Sequence, residues 1–156
     1  MSSGTLRSEL GDFSSIVCFK AVVVGVEETL GTQAAMATLK AAGRRRGRAL
    51  AESLGFGTKK LGLGDAARVL DEAIGKSGTR LCRVDRITQD GDTVRVALSE
   101  TVCSAGEPQG STRELSFTLG AVHGALEVLL GRKLRGRQVE SILRGGAHDV
   151  VELVPA

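Results

Sequence analysis

The stretch S-F-T-L-G-A-V-H-G-A-L-E-V-L-L-G-R-K-L-R-G-R-Q-V-E-S-I-L-R-G-G-A-H-D-V-V-E-L, Ser116 to Leu153, decides the fold. Leu119, Val122, Leu126, Leu129 and Leu130 recur at three- and four-residue spacing, which places them on one face of a helix. Gly131 can take the left-handed conformation that closes a last helical turn. The remainder of the stretch reads as two strands around the Gly145-Gly146 turn. Gly120 and Gly124 lie one helical turn apart beside the apolar face, where another backbone or a ligand can approach closely.

Upstream of this stretch, a second hairpin is written at Asp90-Gly91, between strands expected over Arg80 to Gln89 and Thr93 to Ser99. In the latter, Val94, Val96 and Leu98 alternate with Thr93, Arg95 and Ser99, so one face should be buried and the other wet. The N-terminal half has helical period. Ile16, Phe19, Val23, Val26 and Leu30 mark a helix over Ser14 to Leu30 that is apolar nearly all round and expected to be buried on most sides. Thr32 is the expected N-cap of a helix from Gln33 to Leu54, which carries Gly43, Gly47 and four arginines, Arg44, Arg45, Arg46 and Arg48. Phe56 to Gly64 reads as a loop and lacks the G-x-x-x-x-G-K-[ST] pattern of a phosphate cradle. Asp65 is expected to cap a short helix through Ile74, with Ala66, Val69, Leu70 and Ala73 inward. Glu100 to Glu114 reads as a polar loop. Residues 1 to 12, rich in Ser and Gly, read as a flexible terminus, and residues 13 to 156 as one domain. Helices, hairpin, helix, hairpin predict an α+β fold, with helices packed on one face of an antiparallel sheet of about four strands.

Composition narrows the function. The chain has 156 residues, 42% hydrophobic and 25% charged, within the range of soluble globular proteins. A net charge of +3 and four Phe with no Trp or Tyr leave little for nucleic-acid recognition. The longest apolar run, Ala21 to Val26, is too short to span a bilayer. Three cysteines without a C-x-x-C pair fit a reducing, cytoplasmic compartment better than a disulfide framework.

With these elements in order, the chain resembles the 4-vinyl reductase, or hydrocarbon-binding, domain, in particular its short stand-alone cyanobacterial versions. Three segments carry the resemblance: A-G-R-R-R-G-R-A-L at Ala42 to Leu50, T-R-L-C-R-V-D at Thr79 to Asp85, and the tail from Phe117 to Leu153. The resemblance implies an α+β fold shared with TRAPP vesicle-tethering subunits and haem-associated NO-signalling domains. It also implies a homodimer and a hydrophobic, aromatic or tetrapyrrole-like ligand held between helices and sheet. Many members carry a zinc site made of one cysteine before the closing helix, a Glu, and two cysteines in the last strands. Here Arg113 to Ser116, Ser141 to Leu143, and His148 or Asp149 stand near the cysteine positions and Glu140 remains; one carboxylate with at most one His cannot close a four-ligand site, so zinc is not expected.

The pocket the resemblance implies would be lined by Phe19, Val22, Val23, Val26, Met36, Leu39, Val122 and Leu126, although each of these also reads as ordinary core. Arg44 and Arg48 share a helix face and are the candidates for anchoring an anionic group, against a simpler reading as a solvated face. Cys18 and Cys82 sit in apolar patterns and read as core. Cys103, in a loop, is the candidate reactive thiol, with a structural role the simpler reading. Glu140 is expected to face solvent on a strand, His123 to lie on a helix surface or interface, and His148-Asp149 to serve the final turn. No catalytic constellation is visible. The expected function is non-enzymatic binding of a hydrophobic or tetrapyrrole-like molecule by a dimeric domain. The alternatives are a protein assembly or tethering factor with a filled core, and an accessory enzyme of tetrapyrrole metabolism.

Overall fold

The computed structural model describes Glu9 and residues 16–156. Their order is α1 (Ile16–Leu30), α2 (Thr32–Ser53), α3 (Leu63–Ile74), β1 (Arg83–Asp90), β2 (Thr93–Ser99), α4 (Phe117–Leu130), β3 (Leu134–Glu140) and β4 (Asp149–Pro155), with a 3-10 turn at Ile142–Arg144. The strands form one antiparallel sheet in the order β1-β2-β4-β3. This is the α+β arrangement the element order predicts. The flexible segment expected over residues 1–12 lies, Glu9 apart, outside the described residues, as do Ser14 and Ser15 of the expected first helix.

Period two sets the sheet's inner face. Val94, Val96 and Leu98 of β2 stand beside Leu153, Val151 and Asp149 of β4, and all except Asp149 belong to the aliphatic core that α3 and α4 cover. The outer face is polar. There the register aligns Arg95, Glu152 and Arg137 in one row, and each arginine gives Glu152 a short ion pair, 2.9 and 2.8 Å. These paired guanidiniums, Arg137 first, hold the Glu152 carboxyl below its ordinary range.

The helices stack in layers above this sheet. α3 lies on β1 and α4 on β3 and β4, while α2 packs on α4 and α1 packs on α2. The α2–α4 crossing rests on four glycines. A Cβ built on Gly43 would overlap the Phe117 carbonyl, and one on Gly47 the Ala121 carbonyl. Reciprocally, Gly120 abuts the Lys40 carbonyl and Gly124 the Arg44 carbonyl. Every obstacle is backbone, so no rotamer change can make room. Glycine is required at all four positions by close approach.

Several local expectations are corrected. Thr32 opens α2 instead of capping it. The N-cap is Gly31, at φ 81°, and no side chain caps the helix. Asp65 lies inside the first turn of α3, whose N-cap is Gly62, although its charge still suits the N-terminal dipole. On that helix Ala66, Ala67, Leu70 and Ile74 are buried, with Val69 and Ala73 half-buried. The last turn is longer than a glycine pair: Ser141 caps the 3-10 turn by accepting from Leu143 N, and Gly145 takes φ 86°. The loop after β2 is not wholly polar at its surface, because Thr101, Val102 and Cys103 are buried.

The largest correction concerns α1. Only Val23 is buried on this helix, while Val17 is 74% exposed, Val22 55% and Leu30 51%. Apolar composition tells how many faces want a partner, and α1 meets α2 with one. Its other ties include an edge contact between Phe19 and Phe117, the ion pairs of Lys20 with Glu107 and of Glu27 with Arg113, and a hydrogen bond that Lys20 Nζ donates to the Cys103 carbonyl.

Gly47→Ala and Gly124→Ala should each lower unfolding free energy by about 2–3 kcal/mol, because overpacking here must move backbone. Gly25→Ala, on α1 with open space around it, should be neutral or stabilise by about 0.5–1 kcal/mol. Urea midpoints of the three variants check this, and a fully stable Gly124→Ala would refute the crossing's dependence on glycine.

Candidate functional site

The tight crossing leaves a cavity beside it. Gly47 and Ala121 touch backbone to backbone and contribute almost no side chain, so the wedge where α2 and α4 diverge is not filled from within. The space is about 190 Å³. Ile16 and Phe19 of α1 line one side of it, Leu50 of α2 another, and Leu70 and Ile74 of α3 a third. Leu81, Val102 and Phe117 complete the apolar lining. The polar lining residues are Thr79, Arg46 and Arg80, all solvent-exposed, which puts them at the mouth. Arg80 holds φ 58°, a left-handed conformation uncommon for a residue with a Cβ, and its Nε donates to the Lys76 carbonyl at 3.3 Å.

Of the eight residues expected to line a pocket, Phe19 lines this cavity and the other seven do not. Val22 faces solvent; Val23, Leu39, Val122 and Leu126 are buried in packing; Val26 and Met36 are half-buried. Besides the backbone positions Gly47 and Ala121, the lining residues that sequence reasoning missed are Ile16, Arg46, Leu50, Leu70, Ile74, Thr79, Arg80, Leu81, Val102 and Phe117. A signal was present: Arg46 and Leu50 are four apart and therefore share a face of α2.

Arg44 and Arg48, read from the sequence as a solvated face or as anchors of an anionic group, meet a carboxylate of the chain itself while staying partly exposed. Both bind Glu127, which is almost fully buried on α4. Arg44 donates to Glu127 at 2.5 and 3.1 Å and Arg48 at 2.6 Å, while Leu134 N donates at 2.9 Å. His123, expected on a helix surface or interface, is part-buried and bridges α4 to β3, with Nε2 2.7 Å from the Leu134 carbonyl and 3.3 Å from Glu127 Oε1. Burial opposes the charge of Glu127, but Arg44, the Leu134 amide and His123 outweigh it and bring its pKa to about 2.

Cys82 is core as expected, whereas Cys18 and Cys103 exchange the environments expected of them. Cys18 is exposed, whereas Cys103 is 1% exposed and lies 3.6 Å from Ser116 Oγ, so burial removes it as the reactive thiol. Burial, aided by Asp71 and Asp85, pushes the Cys82 thiol far up, keeping it protonated.

Near the final turn, Glu140 is exposed as expected but folds back to accept from Ala147 N at 2.9 Å. Asp149 is buried and accepts from Thr101 and Ser104 hydroxyls at 2.7 and 2.8 Å and from Ile142 N at 3.0 Å. Among the described residues no three of His, Cys, Asp and Glu converge as metal ligands, and no helix is long and apolar enough to cross a membrane.

The architecture has solved counterparts. The phenol-responsive sensory domain of the transcription activator PoxR, determined with phenol, superimposes with a TM-score of 0.67 over 91% of this chain and 75% of that one, at 15% identity. At that identity the likeness shows a shared fold. A trafficking protein particle complex subunit 3 from Naegleria fowleri, covalently bound to palmitic acid, aligns with a TM-score of 0.48 over 90% of this chain and 96% of that one, also at 15% identity. No family model matches the chain, and no curated protein matches it in sequence.

Because the Glu127 carboxyl is held at about 2 against an ordinary 4.5, its contribution is complete above pH 4.5 and fades as pH falls toward 2. That contribution is on the order of 3 kcal/mol. Glu127→Gln should lower stability near neutral pH by about 2–4 kcal/mol. It should also flatten the acid limb, as followed by denaturant titrations between pH 5 and 2.

Proposed function

We propose that this chain is a hydrocarbon-binding-type domain over residues 13–156 that holds a small apolar molecule without chemical turnover. The observation that carries this reading is the cavity between α1, α2, α3 and α4. It is apolar except at its mouth, as small-molecule sites are. At about 190 Å³ it is somewhat larger than the ~150 Å³ apolar cavity known to accept benzene, so it has room for about one ring. Three further points support the reading. Eight of the thirteen lining residues, Arg46, Gly47, Leu50, Thr79, Arg80, Leu81, Phe117 and Ala121, come from the three segments that carry the family resemblance. One neighbour in fold is a sensory domain solved with phenol, a one-ring compound. The space is bounded by backbone contacts that keep it from collapsing.

A tetrapyrrole is a poor fit to a one-ring space, and a tethering factor with a filled core is disfavoured by the same void. The chain carries no redox motif that would support the accessory-enzyme alternative. Toluene and phenol should raise the thermal midpoint saturably, and Leu81→Trp, which places an indole in the cavity, should abolish that shift. Failure of every one-ring probe to bind would end this reading.

The domain acts as a homodimer through α1. The support is that four of the six exposed large apolar residues among those described, Ile16, Val17, Val22 and Leu30, lie on α1, the helix that packs on α2 alone in the helical layer, and such a concentration on one element marks an interaction face. Light scattering should return twice 16.2 kDa, and Val22→Glu should halve it. A wild-type monomer at micromolar concentration would refute the dimer.

A further inference from the structure

We propose that α1 is the gate of the cavity: the helix swings about Gly31 as one piece, and the wall it carries, Ile16 and Phe19, leaves and returns with it. This rests on the small-molecule reading above and adds how a guest enters and is retained.

The other walls cannot move in this way. α2 and α4 are locked backbone to backbone at their glycine crossing. α3 buries four of its twelve residues, and all four belong to the main hydrophobic core. By contrast α1 buries one residue of fifteen, where α2 buries five and α4 nine. Among the described residues none of α1 belongs to that core. Segments that open are drawn from the parts of a fold with the least apolar burial, and here that part is a cavity wall.

The face that α1 turns inward repeats at helical spacing, with Ile16, Phe19 and Val23 apolar and Lys20 and Glu27 charged. Phe19 meets Phe117 edge-on at 5.1 Å, and both rings line the cavity. The two charges reach the loop that joins β2 to α4. Lys20 pairs with Glu107 and Glu27 with Arg113, each at 3.0 Å, while Arg113 Nε meets Glu107 at 3.1 Å. The row Lys20, Glu107, Arg113, Glu27 therefore alternates in sign and fastens the helix by charge. Ion pairs that water can replace contribute little and are screened by salt, so this row is a latch and not a core.

A latch needs a hinge. Gly31 is the one residue between α1 and α2, at φ 81°, with open space where a Cβ would stand and no side chain capping α2. Glycine crosses between positive and negative φ at little cost. Ile16 lies at the far end of the helix, roughly 20 Å from that pivot, so a small rotation there moves the wall furthest. A guest gains apolar contact with Ile16 and Phe19 only when α1 is in place, and so shifts the helix toward its closed position.

Hydrogen exchange of the full chain, in a Val22→Glu background that removes cover by a partner, reads the gate directly. Amides of α1 should exchange at least about tenfold faster than those of α4, and saturating toluene should slow α1 alone. Glu107→Gln together with Arg113→Gln removes the latch. It should raise the ratio of α1 to α4 exchange about two- to tenfold and speed both entry and exit of fluorobenzene, followed by fluorine NMR line shapes. The ratio is the quantity compared because a general loss of stability would speed exchange in both helices. Added salt should act as the double variant does. Arg68→Gln, which breaks ion pairs on the exposed side of α3, should change neither readout. If α1 exchanges no faster than α4, or if the double variant leaves the ratio and the fluorobenzene rates unchanged, the gate falls and the cavity reading stands. If neither toluene nor fluorobenzene binds, the cavity reading falls and the gate with it, whatever the exchange shows.

Discussion

The contact on which the rest of the molecule depends is the glycine crossing of α2 and α4. Two helices whose backbones touch at Gly43, Gly47, Gly120 and Gly124 cannot slide, separate or rotate without losing packing on both sides. That fixed distance decides the fate of everything on their flanks. It brings Arg44 and Arg48 within reach of Glu127, and it leaves beside Gly47 and Ala121 a wedge with no side chain to fill it. The cavity is thus a geometric consequence of the strongest helix contact. A Cβ at Gly47 would meet the Ala121 carbonyl before it could enter the void, so closing the void from that side would break the crossing.

A second constraint is the way carboxylates join one element to the next. Asp71 of α3 accepts from Val84 N at the start of β1, and Glu127 of α4 accepts from Leu134 N at the start of β3. Asp149 at the start of β4 accepts from Ile142 N in the preceding turn. In each case the acceptor satisfies an amide where regular hydrogen bonding begins or ends, and so fixes the angle at which the chain enters its next element. Glu127 and Asp149 are buried, which raises the cost of leaving either connection unmade. The sheet's outer row, Arg95, Glu152 and Arg137, works differently. Its arginines are more than half exposed, so it aligns strands with little net stabilisation.

What could be read from the residues alone was whatever depends on near neighbours in the chain. The Asp90-Gly91 turn, the alternation of Val94, Val96 and Leu98, and the left-handed Gly131 are local, and all three stand as the pattern implies. What depends on which face meets which partner was not legible in the same way. The apolarity of α1 promised burial, but a helix in the outermost layer has one neighbouring helix, which covers one of its faces and leaves the rest exposed. Cys18 followed α1 into solvent, and Cys103 was drawn inward with Thr101 and Val102 by a loop that composition marked as polar. Glu127 is the instructive omission. It is the sole acid in a helix otherwise built from apolar residues, Thr118 and His123, so it had to be either buried and paired or the mark of a wet face. Four arginines on a neighbouring glycine-bearing helix favoured the first.

Those four arginines show how little was needed to place the site once the crossing is known. With Gly43 and Gly47 turned toward α4, a helix advancing roughly 100° per residue puts Arg44 and Arg48 on one flank of the contact, Arg46 and Leu50 on the other, and Arg45 away from it. The structure agrees at each position: the first pair holds Glu127, the second lines the cavity, and Arg45 is exposed. A reading of Arg44 and Arg48 as anion anchors has the correct helical phase and lacks only its zero. The glycines supply that zero, because a residue retained for close backbone approach marks the face that cannot be anything but the contact.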